Sequence, residues 1–191
     1  MSFWIDDVGW LCGTPVAPCR MHSPNADDRP ADVCIDLLVV HCISLPPGRF
    51  GGPWIDDLFL NRLDPAAHPC FADLDGLRVS SHVLIRRAGD LRQYVGFNRR
   101  AWHAGVSSWQ GRARCNDYSI GIELEGDVET PFTAEQYRTL LAVTRLIMAR
   151  YPALTVDRIV GHSDIAPGRK TDPGPWFDWA RLRSGLAAAS Q

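Results

Sequence analysis

Apolar side chains fall in a few short runs along this chain, and their spacing separates strands from helices. Ile35-Asp36-Leu37-Leu38-Val39-Val40 is nearly unbroken and rich in β-branched residues. It predicts a strand buried on both faces that ends at His41. Residues 118–126 alternate instead, so that Ile120, Ile122 and Leu124 point one way while Gly121, Glu123 and Glu125 point the other. Both carboxylates therefore share a face. Residues 79–85 and 91–95 predict a hairpin about the turn Arg86-Arg87-Ala88-Gly89-Asp90. Thr133 followed by Gln136 forms a capping-box signal, and Tyr137, Leu140, Leu141, Thr144, Ile147, Met148 and Tyr151 then recur at helical spacing up to Pro152. Shorter helices are predicted over 54–61 and from Trp176, with a strand over 155–160 and a Pro/Gly-rich loop over 161–175. Residues 1–34 read as irregular and 183–191 as a tail, leaving 35–182 as one α/β domain with a single central sheet.

Composition narrows the class. At 191 residues and 46% hydrophobic content the chain can bury one substantial core. A formal net charge of -2 supplies no field for nonspecific nucleic-acid binding. No run of 18 apolar residues is present, so no membrane span is expected. Near the start, Asp6 and Asp7 precede apolar residues broken by Gly9, Gly13, Pro15 and Pro18, which is unlike a secretion signal. Cys12, Cys19, Cys34, Cys42, Cys70 and Cys115 form no C-x-x-C pair and read as reduced thiols of a cytosolic protein.

The candidate chemistry lies at the ends of the predicted strands. His41 ends one, His162 follows another, and in Lys170-Thr171-Asp172-Pro173-Gly174 an extended backbone points Lys170 and Asp172 the same way. Two histidines and a carboxylate meet the needs of a hydrolytic zinc site with one position left for water. Spread from position 41 to position 172, however, they form no recognisable motif, and a histidine at a strand end is more often hydrogen-bonded and structural. Glu123 or Glu125 would suit proton transfer beside such a metal, against the blander alternative of a solvated strand face. Cys42 beside His41 suggests a cysteine nucleophile, but consecutive strand residues face opposite ways. His22 and His68 read as surface or locally bonded residues, and His82 as a core residue. His103, next to Trp102 and small residues, reads equally as packing or as a surface that stacks on a sugar or peptide.

Four segments carry a resemblance. Leu38-Val39-Val40-His41 with Ile43-Ser44-Leu45-Pro46-Pro47-Gly48, Ala101-Trp102-His103-Ala104-Gly105-Val106-Ser107-Ser108, Asn116 to Gly126, and Gly161-His162 with Arg169 to Pro175 closely resemble the AmpD family of 1,6-anhydro-N-acetylmuramyl-L-alanine amidases, in order, from about Trp10 to Leu182. The resemblance implies a central mixed sheet flanked by helices, the fold shared with peptidoglycan recognition proteins. It implies one zinc ion held by His41, His162 and Asp172, Glu123 rather than Glu125 as acid/base, and Lys170 as transition-state stabiliser. Arg78, Trp102 and Arg114 match positions that contact substrate, and His103 is grouped with them. The implied role is hydrolysis of a small muropeptide during peptidoglycan recycling in the bacterial cytoplasm, by a monomer without nucleic-acid or membrane partners. Two positions depart from the family pattern: Cys42 stands for Asn and Cys70 for Tyr. The competing expectations are a peptidoglycan-binding module without activity and a secreted amidase acting on intact cell wall.

Overall fold

The computed structural model describes residues 2–14 and 18–188. In chain order its elements are β1 (Ser2–Ile5), β2 (Leu11–Thr14), β3 (Cys19–Arg20), β4 (Ala26–Asp28), β5 (Leu37–Ile43), α1 (Trp54–Phe59), β6 (Val83–Ile85), β7 (Leu91–Gln93), β8 (Arg99–Ala101), β9 (Ser108–Trp109), β10 (Arg112–Ala113), β11 (Ser119–Glu125), α2 (Ala134–Arg150), β12 (Ile159–Gly161), α3 (His162–Ile165) and α4 (Trp179–Ala187). Six strands form the central sheet in the order β12-β5-β11-β6-β7-β3. The pairs β12–β5, β5–β11, β11–β6 and β7–β3 are parallel, whereas β6–β7 is antiparallel, so the sheet is mixed.

Alternation along the two central strands sorts their side chains between two layers. Leu38 and Val40 of β5, with Ile120, Ile122 and Leu124 of β11, pack against Leu140, Val143 and Ile147 of α2 and Leu182 and Leu186 of α4 in the largest core cluster. Leu37 and Val39 face the other layer with Val160 and Ile165 of α3, and α1 contributes Ile55, Leu58 and Phe59 against Leu84 and Tyr94. His41 and Glu123 fall on this second face and are register partners in the parallel ladder. Val40 pairs with Gly161 of β12, which brings the following residue, His162, beside them. Three parallel strands thus deliver their carboxyl ends to one place, where open α/β sheets form ligand crevices.

The capping box at the start of α2 is formed: Gln136 N–H donates to Thr133 Oγ1 at 3.1 Å and Thr133 N–H donates to Gln136 Oε1 at 3.0 Å. The Gln136 amide also reaches the backbone carbonyls of Ile85 and Glu125, tying the helix to two strands.

Several expectations are corrected at element boundaries. Residues 1–34 are not irregular: β1 and β2 pair as a hairpin, β3 extends the central sheet beside β7, and β4 pairs with β8. The hairpin β6–β7 forms, but residues 79–82 precede its ladder. Of the predicted strand 155–160, Val156–Arg158 makes a 3-10 turn and only Ile159–Gly161 is extended. The loop after Val160 contains the single turn α3. The last helix starts at Trp179, because the Asp178 side chain accepts the Arg181 N–H at 2.8 Å, and it runs past Leu182 into the predicted tail. Among the described residues no helix is long and apolar enough to cross a membrane.

Candidate metal centre and active site

His41 Nδ1 and His162 Nδ1 lie 3.0 Å apart, and each lies 3.1 Å from Asp172 Oδ2. Asp172 is brought in because its carbonyl accepts the Ser163 N–H at 3.0 Å, closing the 163–172 loop onto α3. Glycine is needed at 161 for this approach, since a Cβ there would stand 2.8 Å from the Pro173 ring. The remaining nitrogens face away. His162 Nε2 is 3.3 Å from the Ala104 carbonyl and His41 Nε2 is 2.9 Å from His103 Nδ1. A carbonyl only accepts, so His162 carries its proton on Nε2 and presents a bare Nδ1 lone pair to Asp172. With a bare Nδ1 on His162 and a carboxylate beside it, the two-histidine, one-carboxylate set suits a zinc ion.

Burial pushes the His41 imidazole down to about 4, which keeps it neutral as a ligand must be. Burial alone would raise the Asp172 carboxyl, but its contacts with His162 and His41 outweigh burial and hold Asp172 below the usual carboxylate range.

The cluster opens into a cavity of about 240 Å³ lined also by Glu123 and Lys170, with Leu58, Phe59 and Val79 on its apolar wall. Glu123 is 8% exposed, and its Oε2 is buried without a hydrogen-bond partner. Burial, reinforced by the charge of Asp172, raises its carboxyl well above the usual range. Glu125 is otherwise employed. Its Oε1 accepts from Gly51 N–H at 2.6 Å and from Arg86 at 3.0 Å, and its Oε2 accepts from Arg87 N–H at 3.1 Å. Neither residue lies on a solvated strand face, and only Glu123 has an oxygen to spare.

His103 also lines the cavity. It lies behind His41 with a ring nitrogen on each of two neighbours, His41 and Ser119. Trp102 is half-buried, its indole N–H donating to Asp27 at 3.1 Å. Arg78 is exposed between two cavity-lining residues, Leu77 and Val79. Arg114 is exposed and pairs with Asp117 at 3.1 Å. None of Arg78, Trp102 and Arg114 lines the cavity itself.

Cys42 reaches the cavity but is not one of the metal-competent group, makes no hydrogen bond to a histidine, and has its thiol pushed up by burial. That removes the cysteine-nucleophile alternative. His22 packs on Trp10, His68 bonds Cys70 Sγ at 2.9 Å, and His82 accepts the Gly121 N–H at 3.0 Å, so each has a local role.

Sequence reasoning did not find Ala104, whose carbonyl orients His162 and also accepts from Arg169 at 2.9 Å. Nor did it find Arg29, whose guanidinium bonds the carbonyls of Phe97, Asn116, Asp117 and Ser119 and so fixes the segments beneath His103. Backbone acceptors leave no trace in side-chain identity.

Comparison with known proteins agrees with this geometry. The sequence profile of the family described as N-acetylmuramoyl-L-alanine amidase matches residues 30–175. The chain belongs to that family. This amidase, a hydrolase, is 58% identical to the 1,6-anhydro-N-acetylmuramyl-L-alanine amidase AmpD of Salmonella typhimurium over 97% of each chain. A crystal structure of an AmpD derivative superposes with a TM-score of 0.90 at 58% identity, covering 94% of this chain and 98% of that one. The amidase AmiD from E. coli, in complex with the substrate anhydro-N-acetylmuramic acid-L-Ala-D-γ-Glu-L-Lys, superposes with a TM-score of 0.60 at 29% identity, covering 95% of this chain and 65% of that one.

Proposed function

We propose that this amidase hydrolyses the bond between 1,6-anhydro-N-acetylmuramic acid and L-alanine in muropeptides during peptidoglycan recycling. The observation that carries the reading is the convergence of His41 Nδ1, His162 Nδ1 and Asp172 Oδ2 beside the unpartnered oxygen of Glu123. One zinc ion per chain, held by those three atoms, would supply a Lewis acid and a water of lowered pKa.

The chain's own residues then divide the work. Glu123 accepts the proton of the attacking water and hands it to the leaving amide nitrogen, so one carboxyl acts first as base and then as acid. Its raised pKa suits this transfer, because it makes the carboxylate a better acceptor of the water proton and lets the acid form persist at neutral pH until the nitrogen takes it. Lys170, exposed at the cavity and in no ion pair among the described residues, faces the oxygen that gains negative charge. The apolar wall of Leu58, Phe59 and Val79 thins the water around the reacting carbonyl and strengthens both effects.

Substrate contact is assigned to Arg78, Trp102 and Arg114. The two arginines suit the carboxylates of a stem peptide by paired N–H donors, and Trp102 suits a sugar face. The catalytic unit is built on the central sheet, to which β3 of the N-terminal segment contributes a strand, and extends through the last helix. A monomer of the bacterial cytoplasm is the setting proposed. All six cysteines are free and Cys19 and Cys34 are exposed, which fits a reducing compartment.

Zinc analysis combined with an amidase assay on anhydro-muramyl tripeptide, before and after chelation, tests the reading. Loss of activity on chelation and its return with zinc are expected; full hydrolysis by the stripped protein would overturn it. Faster release of peptide from polymeric sacculus than from the soluble fragment would overturn the recycling role.

A further inference from the structure

His103 is 9% exposed and has both ring nitrogens committed, Nδ1 at 2.9 Å from His41 Nε2 and Nε2 at 3.1 Å from Ser119 Oγ. A bond between two imidazoles needs one donor and one acceptor, and the direction here follows from the cluster. If His41 gives its Nδ1 lone pair to a cation, its proton sits on Nε2 and is donated to His103 Nδ1. His103 must then be protonated on Nε2, and that N–H is donated to Ser119 Oγ.

The surroundings are shaped for this ring. A Cβ at Gly121 would stand 2.5 Å from His103 Cγ, so β11 leaves the space of one side chain to it. The backbone N–H groups of His103 and Ala104 both donate to Asn116 Oδ1, at 3.1 and 2.8 Å, which fixes where the ring enters. His82 packs edge-on to it with ring centroids 5.6 Å apart.

We propose that His103 is a positioning residue that sets the tautomer and orientation of His41 as a metal ligand, with Ser119 setting His103 in turn. This rests on the zinc reading above and adds residues to it. The second nitrogen of a metal-bound histidine usually meets a carboxylate, a carbonyl or water, as His162 meets Ala104. A neutral imidazole in that place orients His41 without adding negative charge next to the ion, which leaves more of the ion's Lewis acidity for the substrate.

The test compares the natural protein with His103→Asn, His103→Phe and Ser119→Ala. Zinc affinity is measured by chelator competition, thermal unfolding is followed for each metal-free form, and the ¹⁵N imidazole spectrum of the zinc-loaded natural protein is recorded. His103→Phe keeps the ring volume and loses the acceptor, so zinc binding is expected to weaken about 10- to 100-fold. His103→Asn, whose side-chain carbonyl can accept, is expected to recover most of that loss, and Ser119→Ala to weaken binding by a smaller factor.

The spectrum is expected to show His41 and His103 both protonated on Nε2. Undiminished zinc affinity in a folded His103→Phe, or a proton on His103 Nδ1, overturns the proposal. If His103→Phe does not fold, the spectrum and Ser119→Ala decide, and unchanged affinity in Ser119→Ala removes Ser119 from the chain of bonds. A natural protein that takes up no zinc overturns the metal reading itself. In that case the spectrum of the metal-free protein, with His103 Nδ1 bearing the proton or not, still tests the direction of the bond to Ser119.

Discussion

Glu125 accepts three hydrogen bonds while one oxygen of Glu123, two positions away on the same strand face, accepts none. The difference lies in what each oxygen meets across the sheet, and it assigns the free oxygen to chemistry. Glu123→Gln is expected to lower kcat by about 10²- to 10⁴-fold, the usual size of general acid–base catalysis, with zinc content and melting temperature retained. Loss of the metal together with the rate would make Glu123 a ligand instead. In the proposed mechanism Lys170 faces the developing oxyanion, so Lys170→Ala is expected to slow turnover by about a hundredfold or more with zinc still bound. An unchanged kcat would remove that role. At this scale much was legible: His41, His162, Asp172, Glu123 and Lys170 are brought to one cavity. The sequence left His103 open between packing and substrate contact, because an aromatic residue among small ones looks the same whether its ring faces solvent or the back of another histidine.

Elements are held by charges that binary patterning does not reveal. Arg86 bridges Asp56 of α1, Glu125 of β11 and the Gly52 carbonyl in the loop before α1, and Asp56 also meets Arg92 and Tyr94. This buried network carries the loop and helix that supply one wall of the cavity. Removing one member leaves a buried charge unpaired, so Glu125→Ala is expected to destabilise the protein by about 3–5 kcal/mol, read from the urea midpoint. A shift under about 1 kcal/mol would mean that water replaces the carboxylate. The Arg86–Asp90 segment had been read only as a turn.

In the separate two-stranded sheet, Arg100 of β8 grips Asp27 of β4 and holds its carboxyl below the usual range. A depressed folded-state pKa gives stability that is present above the unfolded value and lost as pH falls through the folded one. Asp27→Asn is therefore expected to flatten the decline in melting temperature below about pH 4. A decline as steep as that of the natural protein would show that the pair contributes nothing. β4 is short and polar, and β3 is only two residues long, so neither shows the period-2 apolar signal that marked β5 and β11.

At the scale of the whole molecule, the proposed metal ligands come from the C-terminal half of β5, from the first residue of α3 just after β12, and from a loop folded back onto α3. A cation bound there links segments distant along the chain and binds only the folded state. Chelation is accordingly expected to lower the melting temperature as well as abolish activity; a ligand at a hundred times its Kd contributes about 2.7 kcal/mol. An equal melting temperature with and without chelator would count against a metal at that junction.

The sequence alone determined that the runs around β5 and β11 become strands and that 133–151 holds the long helix, because burial on one face or two imposes a period on local apolar spacing. It also determined the chemical types available at strand ends. Only the tertiary structure decided which of two equivalent glutamates faces the cavity with an open oxygen, which backbone carbonyl orients His162, and that His103 stands behind a ligand. Those outcomes depend on parallel register between segments distant along the chain and on loop closure, and no local periodicity encodes them.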